Sequence, residues 1–444
     1  MNKEFRKKQN FFSFSDIDSE RKDRIMKFTS TEATPAPHVP PGVLRLTGAA
    51  KEDIPMYRIQ TMNKISPVGL NRFPSELYEV GDAVQDPQGI LVRSAKLLDL
   101  EFNPGLLAIA RAGVGVNNIP LDRCAAAGIP VFSTPGANAN AVKELVICAM
   151  LMGSRDIPGA IRWVREQAAS GVDVSTVVEK GKSAFIGPEL YKKTLGIIGL
   201  GAIGSIVANT AISLGMDVYG YDPFLSVDTA LRLDRHVHVV KDINDLYKRS
   251  DYITMHIHYT EKTAHMIDAS AIAAMKRGVR VINLARGEIV DDEAMLTALD
   301  TGMVAAYITD FPNNRLLTAP HVIAMPHLGA STPESEQNCA AMAVDTLRDY
   351  LESGNIRSSV NLPEMTMDRS GVQRLCVLHK NVPGMLANIT SLFGRDGVNV
   401  ENLSNKSRGD YAYTMVDLGS KVGDNVIEDV RRTANVIRVR SLEW

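Results

Sequence analysis

Cysteine is scarce in this 444-residue chain. Cys124, Cys148, Cys339 and Cys376 stand far apart, with no CxxC pair and no metal-ligand spacing. That excludes a disulfide framework or a zinc knuckle. Each is followed by an apolar or small residue, so buried, reduced thiols in a cytoplasmic setting are expected. No apolar run approaches the ~20 residues of a membrane span. Neither sign of charge dominates: 49 Lys and Arg face 51 Asp and Glu, for a net charge of −2. Nothing in that balance suggests nucleic acid or an acidic membrane surface as a partner. The opening stretch "MNKEFRKKQNFFSFSDIDSERKDRIMKF" has no apolar core, and Asp16, Asp18 and Glu20 count against an organellar address. One absence is local. Between Asp310 and Glu334 there is no carboxylate, although the segment holds His327 in "AMPHLGAS".

What is present fits a globular chain, 45% hydrophobic and 23% charged. Single cores stop growing near ~250–300 residues, so two or three domains are expected. Residues 1–55 are polar and end in "TPAPHVPPG", which reads as a disordered extension and linker. From Met56 strand patterns begin: "MYRIQTM", "GILVRSAKL", "LLAIARAGVGVNNI" and the short "GIPVFSTPG". Then "NAVKELVICAMLMGSRDI" keeps an apolar face at helical spacing for about four turns. From Lys193 strands and helices alternate strictly, through "TLGIIGLG", "MDVYGYD", "DYITMHIH", "RVINLAR", "VAAYITDF" and "HVIAMPH". Such alternation predicts an α/β fold with a parallel, doubly wound sheet. After "NLPEMTMDRSG" the pattern becomes strand, helix, strand, strand, helix, strand, a small α+β module.

"TLGIIGLGAIGSIV" carries GxGxxG at Gly199, Gly201 and Gly204, directly after an apolar strand and before a helix. The first glycine allows the tight turn, the second lets a pyrophosphate approach, and the third lets helix pack on strand. The pyrophosphate then meets the helix N-terminus. Asp222 follows Gly204 by eighteen residues at the end of the next strand. A carboxylate there binds ribose hydroxyls and repels a 2′-phosphate, so NAD is the expected cofactor.

Ligands of open parallel sheets sit beyond the strands' carboxyl ends. Arg286 stands at such an end, Asp310 at the next, and His327 after the last strand. A guanidinium can hold a carboxylate through paired hydrogen bonds. Singly, each has an ordinary alternative: an arginine before glycine can cap a helix, and a loop histidine is often only solvated. Three at successive strand ends point to a site.

The segments "INLARGEIVDDEAM", "GIIGLGAIG" and "PHLGAST" together resemble the D-isomer-specific 2-hydroxyacid dehydrogenases. "LVRSAKL", "RAGVGVNNI" and "GIPVFSTPGANANAVKEL" look like the branch of that family acting on 3-phosphoglycerate. The resemblance runs from Met56 to the C-terminus. It implies a flavodoxin-like split substrate domain (56–136 and 329–365), a Rossmann nucleotide domain (137–328) and a homo-oligomer of at least two copies. By position, His327 is the acid/base, and Arg286 holds the substrate carboxylate. Arg93, Ser94, Arg111, Gly113, Val114, Gly115 and Asn117 meet substrate, with Arg155 as a further candidate. Cofactor contacts fall on Gly199, Gly201, Ala202, Ile203, Gly204, Asp222, His256, Ala285, Asp310 and His327. Thr134 and Pro135 precede the hinge. The family's glutamate beyond Asp310 is missing, because Asn314 and Arg315 occupy its candidate positions. A carboxylate there raises the imidazole pKa and fixes its tautomer. Orientation of His327 by Asp310 or Asn314 is therefore expected. Alternatives are another hydroxyacid dehydrogenase, such as a hydroxypyruvate or glyoxylate reductase, and a non-catalytic NAD(H)-sensing protein of the same fold.

Residues 369–444, beginning "RLCVLHKNVPGMLANITSLFGRDGVNVENL", look like an ACT regulatory domain with a ferredoxin-like fold. That resemblance implies L-serine as an effector, held by His379, Asn381 and Asn399 across a dimer interface.

Overall fold

The structure, a computed structural model, describes residues 56–444; the extension and linker expected at 1–55 lie outside the described residues. Three sheets follow one another along the chain. The first holds β1 (Tyr57–Met62), β2 (Tyr78–Gly81), β3 (Gly89–Val92), β4 (Ala108–Arg111) and β5 (Val131–Phe132), ordered β2-β1-β3-β4-β5 and wholly parallel. That is the flavodoxin-like order. β2 is absent from the sequence reading because "YEVG" is too short and polar to register as a strand pattern.

Helix α1 (Ala139–Arg155) leads away from this sheet. The second sheet is built from β6 (Thr194–Ile198), β7 (Asp217–Tyr221), β8 (His238–Val240), β9 (Tyr252–Met255), β10 (Val279–Asn283), β11 (Val304–Thr309) and β12 (Val322–Ala324). Its order is β12-β11-β10-β9-β6-β7-β8, all parallel. The direction of winding reverses between β6 and β9, and the carboxyl ends of these two strands open a crevice. Helix α2 (Ala202–Ser213) starts at that crevice and α3 (Asp292–Asp300) follows β10.

Chain direction then returns to the first sheet through α4 (Pro333–Ser353), capped by the Thr332 side chain and stopped by Gly354 in the left-handed region. Cys339, Ala340, Ala343, Val344, Leu347, Tyr350 and Leu351 of α4 share one core with Ile59, Leu91, Ala108 and Phe132. The first sheet is thus completed by chain more than two hundred residues away.

The third sheet is antiparallel: β13 (Gln373–Lys380), β14 (Val400–Arg408), β15 (Tyr411–Leu418) and β16 (Val436–Glu443), ordered β14-β15-β13-β16. Helices α5 (Met385–Arg395) and α6 (Asp424–Arg432) cover one face, contributing Ile389, Phe393, Val426 and Val430 to a core of their own. The other face, with Cys376, Leu378, Tyr413, Met415 and Leu442, joins the core of α4 and the first sheet. Among the described residues no helix is long and apolar enough to cross a membrane.

One expectation fails. Cys124, Cys339 and Cys376 are buried, but Cys148 is exposed. It lies one helical turn from Glu144, on the outward face of α1, while Val146, Ala149 and Met150 point inward. Its apolar neighbours in sequence belong to the opposite side of the helix.

Where the third sheet meets α4, Arg374 has no exposure to solvent. Its Nε and Nη2 donate to the two oxygens of Asp417 at 2.5 and 2.7 Å. Nη1 donates to the carbonyls of Ser353 and Met367, and Nη2 also to Asp368. All five guanidinium donors are used. Replacing Arg374 by Ala leaves a buried carboxylate with only Ser370 as partner and no counter-charge, and three carbonyls without this donor, so a loss of ~3–5 kcal/mol in denaturant unfolding is expected. The exposed pair of Arg72 with Asp345 is the control: Arg72→Ala should cost ~0–1 kcal/mol.

Candidate active site

β6 delivers the glycine turn. Gly199 has φ +89°, and a Cβ there would lie 2.6 Å from the His256 carbonyl oxygen, so only glycine fits between the two diverging strands. At Gly204 a Cβ would sit 1.9 Å from the Gly199 oxygen, which is the close packing of helix on strand. At Gly201 a Cβ would meet nothing within 4 Å. The space above Gly201 and the free N-terminus of α2, including Ala202 and Ile203, suit a pyrophosphate. Asp222 caps β7's end: Oδ2 accepts from Leu200 N and Oδ1 from Phe224 N, both at 2.9 Å. Each oxygen keeps a lone pair for a ribose hydroxyl. His256 ends β9, with Nε2 at 3.2 Å from Thr254 Oγ1, and burial pushes its imidazole down to about 4. It faces the crevice as a neutral group.

β10 ends in a buried asparagine that shapes the next turn. Asn283 Oδ1 accepts from Ala285 N, and Nδ2 donates to the Arg286 carbonyl at 2.8 Å. This fixes Ala285 and Arg286 before the side chain of Arg286 leaves toward the first sheet. There it meets the turn after β4. A Cβ on Gly115 would be 3.2 Å from Arg286 Nη2, 3.8 Å from Arg111 Nη1 and 3.9 Å from Asn117 Oδ1. A Cβ on Gly113 would be 2.6 Å from Arg111 Nη1. The structure thus brings together Arg111, Gly113, Gly115, Asn117 and Arg286, from two sheets, with Val114 in the same turn.

Among the described residues Arg111 has no carboxylate partner; its Nε donates to the Arg93 carbonyl at 3.0 Å. Burial lowers its pKa, and the charges of Arg286 and Arg93 add to that shift. Arg93 completes the cationic cluster, paired with Glu336 on α4 at 2.5 Å. Ser94 lies beside Arg93, its N–H held by Asn63 Oδ1. Arg155 does not join this cluster. It ends α1, whose other end adjoins the crevice, and a helix of 17 residues is ~25 Å long.

Asp310 is 1% exposed, with Oδ2 accepting from Gly329 N at 3.0 Å and Oδ1 unpartnered. Burial raises its pKa against the opposing pull of that N–H, His327 and Arg286. A buried acceptor without a donor is where a carboxamide N–H₂ fits. Two other buried, unpartnered oxygens, Thr134 Oγ1 and Asn138 Oδ1, flank Gly136, whose own Cβ would be 3.3 Å from the Ala202 Cβ. The hinge segment therefore touches the start of α2.

His327 is held by its backbone, with φ +48° and its N–H donating to the Asp310 carbonyl at 2.8 Å. Its exposed ring lies against Phe311, centroids 4.7 Å apart and tilted 45°. Arg286 Cζ stands 5.7 Å from the same phenyl ring. Asn314 is exposed, and among the described residues it forms no side-chain hydrogen bond. Arg315 is drawn to Glu293 of α3 at 2.7 Å. Neither replaces the absent glutamate. Phe311 and Glu336 escaped sequence reasoning. The first reads as an ordinary strand-end aromatic, and the second lies 243 residues from its partner.

His379, Asn381 and Asn399 are not gathered in one chain. His379 is buried, its ring nitrogens on Thr414 Oγ1 and the Lys380 carbonyl, both 2.8 Å. Asn381 follows the last residue of β13, whereas Asn399 precedes Val400, which pairs with Leu418 opposite Gln373 at the first. The two asparagines occupy opposite ends of the sheet.

The glycines give a contrast that can be measured. Gly204→Val should destabilise the fold by several kcal/mol, since backbone stands in the way. Gly201→Val should unfold at the wild-type denaturant midpoint yet lose dinucleotide binding, read by quenching of protein fluorescence.

Residues 147–329 match the model of the D-isomer specific 2-hydroxyacid dehydrogenase, NAD binding domain. The D-3-phosphoglycerate dehydrogenase of Synechocystis sp. is 36% identical over 71% of this chain, which spans only 56% of that relative's length. The D-3-phosphoglycerate dehydrogenase of Haemophilus influenzae is 31% identical over 82% of this chain and 88% of its own. Among solved structures, the NAD+-bound 3-phosphoglycerate dehydrogenase of Entamoeba histolytica is 26% identical, with a TM-score of 0.54 over 69% of this chain and 99% of that one. Identity of 31% over most of both chains, together with the matching nucleotide-domain model, means that this chain belongs to the D-isomer specific 2-hydroxyacid dehydrogenase family.

Proposed function

We propose that this chain oxidises 3-phospho-D-glycerate at C2 to 3-phosphohydroxypyruvate with NAD, the first step of L-serine synthesis, as a homo-oligomer. The observation that carries this reading is the meeting of Arg111 and Arg286 at one turn with Arg93 beside Arg111, where among the described residues only Arg93 is ion-paired, to Glu336. A ligand bearing both a carboxylate and a phosphate supplies the missing negative charge. Relatives named D-3-phosphoglycerate dehydrogenase support the same substrate.

Arg286 holds the substrate carboxylate in a charge-assisted fork. Arg93 and Arg111 take the phosphate. His327 accepts the proton of the C2 hydroxyl. NAD, when bound, supplies the acceptor for the C2 hydride. As C2 becomes a carbonyl, Arg286 stabilises the charge developing on its oxygen. Asp222 favours NAD over a 2′-phosphorylated cofactor, and Asp310 holds the nicotinamide amide through its free oxygen. Phe311 keeps the imidazole of His327 and the guanidinium of Arg286 on one surface, a packing substitute for the absent carboxylate. L-serine, as effector, would bridge two copies, since His379 and Asn381 lie at the far end of the sheet from Asn399.

Steady-state NADH oxidation tests this reading. With 3-phosphohydroxypyruvate, kcat/KM is expected to exceed that with hydroxypyruvate by about tenfold or more, from one or two charge-assisted hydrogen bonds. His327→Asn should lower kcat by ~10²–10⁴. Phe311→Ala should lower kcat more than it raises KM, and added L-serine should slow the wild type. Equal rates with both acids would point to a hydroxypyruvate or glyoxylate reductase. NADH binding without turnover would favour a non-catalytic NAD(H)-sensing protein.

A further inference from the structure

The cationic cluster contains one acid of its own. Glu336 lies in the first turn of α4, and its Oε1 receives Arg93 Nη2 at 2.5 Å. One turn further on, Cys339 is buried in the core that α4 shares with the first sheet. The first turn of α4 is therefore a wall of the pocket that the proposed substrate enters. Among the described residues Arg111 and Arg286 form no ion pair with a carboxylate and donate instead to the carbonyls of Arg93 and Ala285, so their charge stays available to a ligand. Arg93 alone is already neutralised.

We propose that Glu336 is a resident anion that occupies the phosphate position on Arg93 and leaves when a phosphate arrives. The inference rests on the phosphate reading given above. Both partners are about half exposed, 46% and 45%. An ion pair in that setting contributes only ~0–1 kcal/mol. A phosphate dianion, with more charge and three acceptor oxygens, wins the guanidinium. Ligands lacking the second anion leave the pair intact and meet a pocket with less free positive charge. Glu336 thus sets the anion selectivity of the site, distinguishing doubly from singly anionic acids. A glutamate in the first turn is also favoured by the helix dipole, which keeps it in place when Arg93 is taken.

Calorimetric titration with inorganic phosphate at constant low ionic strength decides the point without requiring turnover. Glu336→Gln keeps the side chain's shape and removes its charge. It should bind phosphate about two- to fivefold more tightly than wild type, the range set by an exposed pair, whereas Arg93→Ala should bind it more weakly. In kinetics, Glu336→Gln should lower KM for 3-phosphohydroxypyruvate by a similar factor and leave the KM for hydroxypyruvate within twofold. Unchanged or weaker phosphate binding by Glu336→Gln would overturn the proposal and make Glu336 a group that positions Arg93. Tighter phosphate binding by an enzyme that turns over neither acid would sustain Glu336 as the competing anion while removing the proposed reaction.

Discussion

Like charges must be held together here against their own repulsion. Arg93, Arg111 and Arg286 come together from different strands, and among the described residues only Arg93 has a carboxylate ion-paired to it, Glu336. Such a cluster exists only because the scaffold fixes each member separately. Asn283 holds the backbone of Arg286, the Arg93 carbonyl holds Arg111, and α4 supplies Glu336. The surrounding fold absorbs the cost of assembling this positive charge before any ligand arrives.

The histidine shows a different solution to a familiar requirement. Where a carboxylate would fix the ring by charge, this chain uses a backbone hydrogen bond, a left-handed residue and an aromatic face. Packing fixes orientation but adds no negative potential. Asp310 still lies close enough to act on His327, yet it makes no hydrogen bond to the ring, and one of its oxygens accepts from Gly329 N. Orientation and electrostatics, usually supplied by one residue, are divided between two.

Much of this was legible in the residues. The glycine turn, the acid at the end of β7 and the strand-end positions of Arg286, Asp310 and His327 follow from local pattern, because parallel sheets put ligands at carboxyl ends. What could not be read depends on distance along the chain or on which way a side chain turns. Glu336 meets Arg93 only after α4 folds back onto the first sheet. Arg155, a further candidate from its place in sequence, stands at the far end of α1, a distance set only by the length of that helix. Cys148 shows the same limit at smaller scale, since neighbours in sequence on a helix face different directions. Burial of Arg374 against α4 had no local signal at all, because its carbonyl partners lie outside its own strand.

Helix α4 has two engaged ends. At its start Glu336 pairs with Arg93 of the cationic cluster, and at its finish the Tyr350 and Ser353 carbonyls accept from Arg440 and Arg374 of the third sheet. Twenty-one residues make a rod ~30 Å long. A rod clamped this way carries motion as leverage, since a tilt of about two degrees at the sheet swings the far tip by about 1 Å. Whatever torque acts on the C-terminal sheet is therefore felt at the pocket wall as displacement.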